Sequence, residues 1–206
     1  MAKFSIPSIE TFIKMKKEKL KSLSILDNLE WIPYLVECKQ LKQFDVYEIQ
    51  TKMGKQDFVY ISEMAKTLHC LRIKNYTTDY PMEDMIMLLN NSNRYLQLLT
   101  IDGVDDINLL MLMVVISCPN LKVLTCHTST EVSKFHTHII DLIFNKIETL
   151  RLVKLTFRQE EASPYPTFIK DDLIKIVKKK DLSFILHQDD DKFVISVGLQ
   201  RLKITL

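Results

Sequence analysis

Six times, at intervals of 21 to 28 residues, this 206-residue chain repeats one phrase, apolar-x-x-apolar-x-apolar. The copies read Leu20/Leu23/Ile25, Leu41/Phe44/Val46, Leu68/Leu71/Ile73, Leu96/Leu99/Ile101, Leu121/Leu124/Cys126 and Ile147/Leu150/Leu152. Leu199/Leu202/Ile204 makes a seventh, two periods of 26 beyond the sixth, and Met1/Phe4/Ile6 fits once more at the start. A steady period in this range is the signature of stacked repeats. The last two apolar positions of the phrase lie two apart, so they share one side of a strand. The first marks where the chain turns in. Between phrases the pattern is helical. Asp57 precedes Val59, Ile61, Met64 and Ala65; Asp105-Asp106 precede Ile107, Leu109, Leu110, Leu112, Met113 and Ile116; Thr130 precedes Val132, Phe135, Ile139, Ile140 and Ile143. Strand and helix alternating at this period require crossovers, hence parallel strands. Strands sit about 4.8 Å apart and packed helices about 8–10 Å, so the stack must curve. The expected fold is an α/β horseshoe solenoid, with parallel strands on the concave face and helices on the convex face.

Composition supports one folded domain over residues 1–206. The content is 47% hydrophobic and 26% charged with mixed sign, which excludes disorder. The loop from Arg158 to Thr167 interrupts the period. An amphipathic helix over Phe168–Val177 follows, then two β-rich runs, Leu182–Leu186 and Phe193–Val197, around Gln188-Asp189-Asp190-Asp191. That pattern predicts an irregular last repeat, or hairpin, from about 182. No run of apolar residues is long enough to span a bilayer, and the first residues have no secretory h-region, so no membrane partner is expected. The four cysteines, Cys38, Cys70, Cys118 and Cys126, show no framework spacing. They read as reduced thiols in a cytoplasmic or nuclear protein.

Ser117-Cys118-Pro119-Asn120-Leu121-Lys122-Val123-Leu124 and Glu37-Cys38-Lys39-Gln40-Leu41-Lys42-Gln43-Phe44 share a cysteine three residues before the leucine phrase. The equivalents before Leu68, Leu96 and Ile147 are Ala65, Asn93 and Phe144. In its repeat and these cysteines the chain resembles leucine-rich repeat proteins of the cysteine-containing class, and is similar to the substrate-binding repeat region of F-box proteins. The resemblance implies a protein–protein interaction module, recognising substrates as an F-box-type subunit of a cullin ubiquitin ligase. Contact with the ligase adaptor would run only through an F-box segment that this chain does not show. The alternative is a stand-alone leucine-rich repeat inhibitor or scaffold with no ubiquitin role. Either way the implication is no enzyme and no cofactor.

The residues themselves offer little chemistry. Cys126-His127 with His136 and His138 has zinc-ligand types. On a helix, though, His136 and His138 diverge by about 200°, and Cys126 points into the core, so no metal site or catalytic thiol is expected. The carboxylates Asp105-Asp106 and Asp171-Asp172 fit helix capping. The basic clusters at Lys14–Lys21 and Lys175–Lys180 fit helix ends, and no continuous basic stripe joins them, so no nucleic acid partner is expected. The concave strand face remains as the working surface, with a protein as partner. Its expected residues are Ser22 and Ser24; Gln43, Asp45 and Tyr47; Cys70, Arg72 and Lys74; Leu98, Thr100 and Asp102; Val123, Thr125 and His127; Thr149, Arg151 and Val153. Tyr47, Arg72, Lys74, Asp102, His127 and Arg151 are the expected partner-binding residues, because Tyr and Arg anchor interfaces. As outward residues, Arg72 and Arg151 should tolerate charge reversal without loss of stability.

Overall fold

The computed structural model describes residues 6–48, 52–75, 80–91, 94–158, 167–180, 182–189 and 192–199. It is an α/β fold with one mostly parallel eight-stranded sheet. In chain order the elements are α1 (Ile6–Lys16), β1 (Ser22–Leu26), α2 (Ile32–Leu35), β2 (Gln43–Glu48), α3 (Lys55–Ala65), β3 (Cys70–Asn75), α4 (Met82–Asn91), β4 (Leu98–Val104) and α5 (Ile107–Ser117). Then come β5 (Val123–Thr128), α6 (His138–Lys146), β6 (Leu152–Arg158), α7 (Thr167–Lys180), β7 (Leu182–Asp189) and β8 (Lys192–Leu199). The strand order is β1-β2-β3-β4-β5-β6-β8-β7. The first six strands run parallel and in sequence order. Consecutive helices from α2 to α7 pack side by side.

One set of backbone hydrogen bonds fixes this stack. The residue after the leading leucine of each phrase donates its N–H to the C=O of its counterpart one repeat earlier. Lys42 bonds Lys21, His69 bonds Lys42, Gln97 bonds His69, Lys122 bonds Gln97 and Arg151 bonds Lys122, each at 2.8 Å. The leading leucines Leu41, Leu68, Leu96, Leu121 and Leu150 are all buried. This ladder corrects the sixth phrase. Arg151 is the counterpart of Lys122, and Val123 pairs with Leu152, Leu124 with Val153 and Cys126 with Leu155. The sixth copy is therefore Leu150/Val153/Leu155, with Ile147 at the cysteine position; Leu150 N–H bonds Ile147 O at 3.0 Å as Leu121 bonds Cys118 O at 3.2 Å.

All the paired apolar strand residues face one side: Phe44 and Val46, Leu71 and Ile73, Leu99 and Ile101, Leu124 and Cys126, Val153 and Leu155. They meet the inner faces of the helices in a single apolar cluster, where Phe58 and Ile61 of α3, Leu88 of α4, Leu110 and Val114 of α5 and Ile143 of α6 are fully buried. Helix starts follow local chemistry. Asp106 caps α5, its carboxylate accepting the Leu109 N–H at 3.0 Å. Asp57 acts one turn inside α3 and accepts the Gly54 N–H at 2.8 Å.

The helix expected after Thr130 is broken. A short 3-10 turn covers Val132–Lys134, Phe135 is extended, and α6 begins at His138. Two interactions hold the break. Phe135 turns inward against Phe157, ring centroids 5.3 Å apart. Asn108 of α5 substitutes for helical partners: its Oδ1 accepts the His136 N–H at 2.9 Å and its Nδ2 donates to Lys134 O at 3.0 Å. The hairpin expected from about 182 forms, β7 against β8. Its second strand inserts antiparallel beside β6, so β7 lies parallel to β6 with β8 between them. In the phrase at 199, Leu199 ends β8, while Leu202 and Ile204, like Met1 and Phe4 at the start, lie outside the described residues. No described helix is long and apolar enough to cross a membrane.

Leu99 is wholly buried at the middle of the sheet. Leu99→Ala should lower unfolding stability by about 2–5 kcal/mol in a urea titration. A loss below about 0.5 kcal/mol, the usual range for surface changes, would contradict the packing.

Candidate functional site

The strand side chains that face away from the helices form rows across the sheet. One row runs through all eight strands: Ser24, Asp45, Arg72, Thr100, Thr125, Lys154, Ser196 and Ile185. In the next row Leu26 lies by Tyr47 and Tyr47 by Lys74. Asp102 pairs with His127, His127 with Thr156 and Thr156 with Val194. Five of the six expected partner-binding residues, Tyr47, Arg72, Lys74, Asp102 and His127, therefore share this open face. Arg151 does not. Its side chain sits at the turn before β6, lining a cleft with Phe144, Ile147, Leu150, Lys180 and Leu182 at the opposite end of the strands from His127. Val153 is core, and Thr149 Oγ1 donates to Leu121 O at 2.8 Å.

Two clusters organise the face. In the first, Arg72 Nη1 donates to Asp45 at 3.1 Å, and the same carboxylate accepts Ser24 Oγ at 3.1 Å and Gln43 Nε2 at 3.0 Å. Asp45 is buried, so Arg72 is committed to it and is not a free anchor. The expectation that Arg72 tolerates charge reversal is thereby corrected, because a glutamate there would oppose a buried carboxylate.

The second cluster centres on Asp102 and His127. Gly103, at φ 77°, makes a bulge in β4 where the register shifts between Asp102 and Val104. Only glycine adopts that φ without strain, and a bulge re-aims its neighbours. Gly103 O also accepts the Tyr80 N–H at 2.7 Å. Asp102 is held 4% exposed, its Oδ1 without a hydrogen-bond donor but 3.4 Å from His127 Nδ1. Burial pushes the Asp102 carboxyl up to about 6, against the pull of Lys74. His127 is pushed down to about 4, by burial and by Lys154, Lys74 and Lys192. Nearly half of its side chain, 47%, is exposed. Solvent tempers both influences, and burial stays the larger, with the three ammonium groups acting in the same direction. At neutral pH the pair is then a carboxylate beside a neutral ring, not an ion pair. Lys74 also lies over the Tyr47 ring, 5.6 Å from its centroid.

Chemically, a half-exposed neutral imidazole backed by a carboxylate can accept a hydrogen bond or a proton. The adjacent thiol of Cys126 is wholly buried on the other side of the sheet, and burial holds its pKa far up, so it adds no nucleophile. His136 and His138 do not diverge as a helix would make them. His136 precedes α6 and the rings stack with centroids 5.5 Å apart. Among the described residues no cluster of three metal-ligating side chains occurs.

Sequence reasoning missed Lys154, because the sixth phrase was read out of register, and Lys192, because the hairpin register was open. It also missed Glu48. This buried carboxylate at the end of β2 accepts the Tyr80 hydroxyl, and burial pushes its pKa up. Tyr80 packs edge-on against Phe58 with centroids 5.0 Å apart. The pair pins the chain beyond β3 to α3.

No family model matches the chain, and no curated protein matches it. Among solved structures it is similar to a protein of the NADB-Rossmann superfamily from Streptococcus agalactiae, at 11% identity and TM-score 0.28, covering 99% of this chain and 72% of the other. It is also similar to M. capricolum TrmK in complex with S-adenosyl-homocysteine, at 11% identity and TM-score 0.26, covering 100% of this chain and 72% of the other. These neighbours are not leucine-rich repeat or F-box proteins, so that family assignment is corrected. The ubiquitin-ligase reading, the inhibitor or scaffold alternative and the expectation of a non-enzyme fall with it. A likeness this distant assigns this chain neither fold nor activity. The strand order here also runs straight from β1 to β6, without the reversal that creates a dinucleotide crevice in doubly wound sheets.

The two members of the second cluster, Asp102 and His127, give opposite pH signatures. A carboxyl at about 6 when folded, against about 3.9 unfolded, keeps its proton longer in the folded state, so its contribution to stability falls as pH climbs from about 4 to about 6. An imidazole at about 4 when folded, against about 6.5 unfolded, loses its proton earlier, so its contribution rises from about pH 4 to about 6.5. Urea titrations across this window should show a steeper rise with pH for Asp102→Asn than for the native chain, and a fall for His127→Ala. Parallel profiles for all three would refute the assignment. Separately, Arg72→Ala should cost about 1–3 kcal/mol by stranding Asp45, whereas Arg151→Ala should stay within about 0.5 kcal/mol of native.

Proposed function

We propose that the chain is a curved α/β stack whose open, concave sheet face binds an extended acidic segment of another protein. The curvature follows from helices and strands having different spacings while sharing one period. It is supported by short polar side chains that are buried on a face no described helix covers: Thr100, Asp102, Thr156 and Ser196. Several strands side by side offer a ridged surface on which an extended chain can lie.

The observation that carries the reading is the convergence of Lys74, Lys154 and Lys192 on His127, three ammonium groups from β3, β6 and β8 acting on one neutral ring. Asp45 is neutralised by Arg72, and Asp102 is sunk beneath the surface. The accessible potential around His127 is therefore positive, and complementary charge steers and orients a partner. Acidic peptide fits better than nucleic acid, because the two carboxylates interrupt the basic groups and no continuous stripe follows a backbone. Tyr47, held under Lys74, supplies a flat apolar surface next to the charges.

Titration of a fluorescein-labelled polyglutamate peptide with the full chain should show anisotropy-detected binding that weakens as salt rises. Lys74→Glu with Lys154→Glu should weaken it by about tenfold or more, equivalent to about 1.4 kcal/mol, with the circular dichroism unchanged. Tighter binding of a labelled single-stranded oligonucleotide, or no peptide binding at low salt, would overturn the reading.

A further inference from the structure

Asp102 carries a buried oxygen that lacks a donor. Its side chain is 4% exposed, and among the described residues nothing hydrogen-bonds to Oδ1. A carboxylate oxygen left so is costly. The group placed to relieve it is His127, whose Nδ1 lies 3.4 Å away. The same ring is 47% exposed on the face proposed to receive an acidic segment. A carboxylate arriving at its other nitrogen, Nε2, is a second acceptor. Neutral imidazole has a single N–H and serves one of the two. Imidazolium has an N–H on each nitrogen and serves both.

What keeps the free ring neutral is local as well. Burial disfavours the imidazolium, and Lys154 of β6, Lys74 of β3 and Lys192 of β8 act in the same direction. Among the described residues, the carboxylate beside the ring is Asp102 of β4. A second carboxylate at Nε2 would offset the ammonium charges and attract the protonated ring directly.

We propose that one carboxylate of the bound segment docks on Nε2 of His127 and that the ring takes up a proton as it binds, joining Asp102, the imidazolium and the ligand carboxylate in one hydrogen-bonded chain. This inference rests on the acidic-segment reading of the face. The proton comes from solvent, and no covalent bond to carbon changes. With its carboxyl at about 6, Asp102 is already mostly ionised at pH 7 and has little proton of its own to give. With the free ring at about 4, His127 is neutral there until the ligand arrives. The bound state then holds more protons than the free state, so affinity rises as pH falls, by at most about tenfold per pH unit for one proton. The face reads acidity as well as charge.

The test uses the full chain and the labelled polyglutamate peptide between pH 6.5 and 7.5, where glutamates, at about 4.3, stay ionised. Nitrogen-15 NMR of the imidazole rings, with the His127 signals assigned by their loss in His127→Gln, should show a neutral ring in the free chain and an imidazolium in the complex at pH 6.5. Calorimetry in buffers of different ionisation heat should show proton uptake on binding. The peptide Kd should fall by about threefold to tenfold from pH 7.5 to 6.5. His127→Gln, which keeps all three lysines, should abolish the uptake and flatten the pH dependence. A ring that stays neutral in the saturated complex, or uptake that persists in His127→Gln, would overturn this inference and leave the acidic-segment reading standing. A native chain that binds no peptide at either pH would remove both.

Discussion

Everything in this fold hangs on a row of peptide groups at the entry to the strands. Lys21, Lys42, His69, Gln97, Lys122 and Arg151 are chemically unrelated side chains, yet their backbones stack in one column joined by hydrogen bonds of a constant 2.8 Å. The buried leading leucine immediately before each of the later rungs anchors it to the core. The column tolerates spacers of different length because each extra residue is taken up between phrases, in helices that range from the four residues of α2 to the eleven of α3 and α5. Register is set at one end of every strand, and the side chains that follow alternate obligatorily between core and open face.

That column also explains what could be read from the chain and what could not. The first five phrases were legible because a leucine, a strand pair and a helix signal coincide in each. The sixth was misread because Ile147, Leu150, Leu152, Val153 and Leu155 supply apolar residues in two overlapping phrases. Periodicity alone cannot choose between them; the backbone bond from Arg151 to Lys122 does. A slip of this kind turns a strand over, which is why Arg151 left the face and Lys154 entered it. The helix after Thr130 failed for a different reason. Asn108, one repeat earlier, takes over its hydrogen bonds, and a partner so distant in sequence leaves no local signal.

The face was legible as a location and not as an electrostatic object. Tyr47, Arg72, Lys74, Asp102 and His127 could be placed by alternation. Which of them is committed inward depended on neighbours contributed by other strands. Arg72 is held by Asp45, and His127 is kept neutral by burial together with lysines that include two contributed by β6 and β8. Charges arriving from separate strands act together only once the sheet is assembled.

The insertion of β8 between β6 and β7 has a mechanical consequence. Its hydrogen bonds run down both flanks, to β6 on one side and to β7 on the other. A pull along β8 must shear both ladders together, whereas a pull across β7 opens its ladder one bond at a time. Under load the sheet would yield at the hairpin's outer strand first, and the strand nearest the chain's end would be the last to be drawn out.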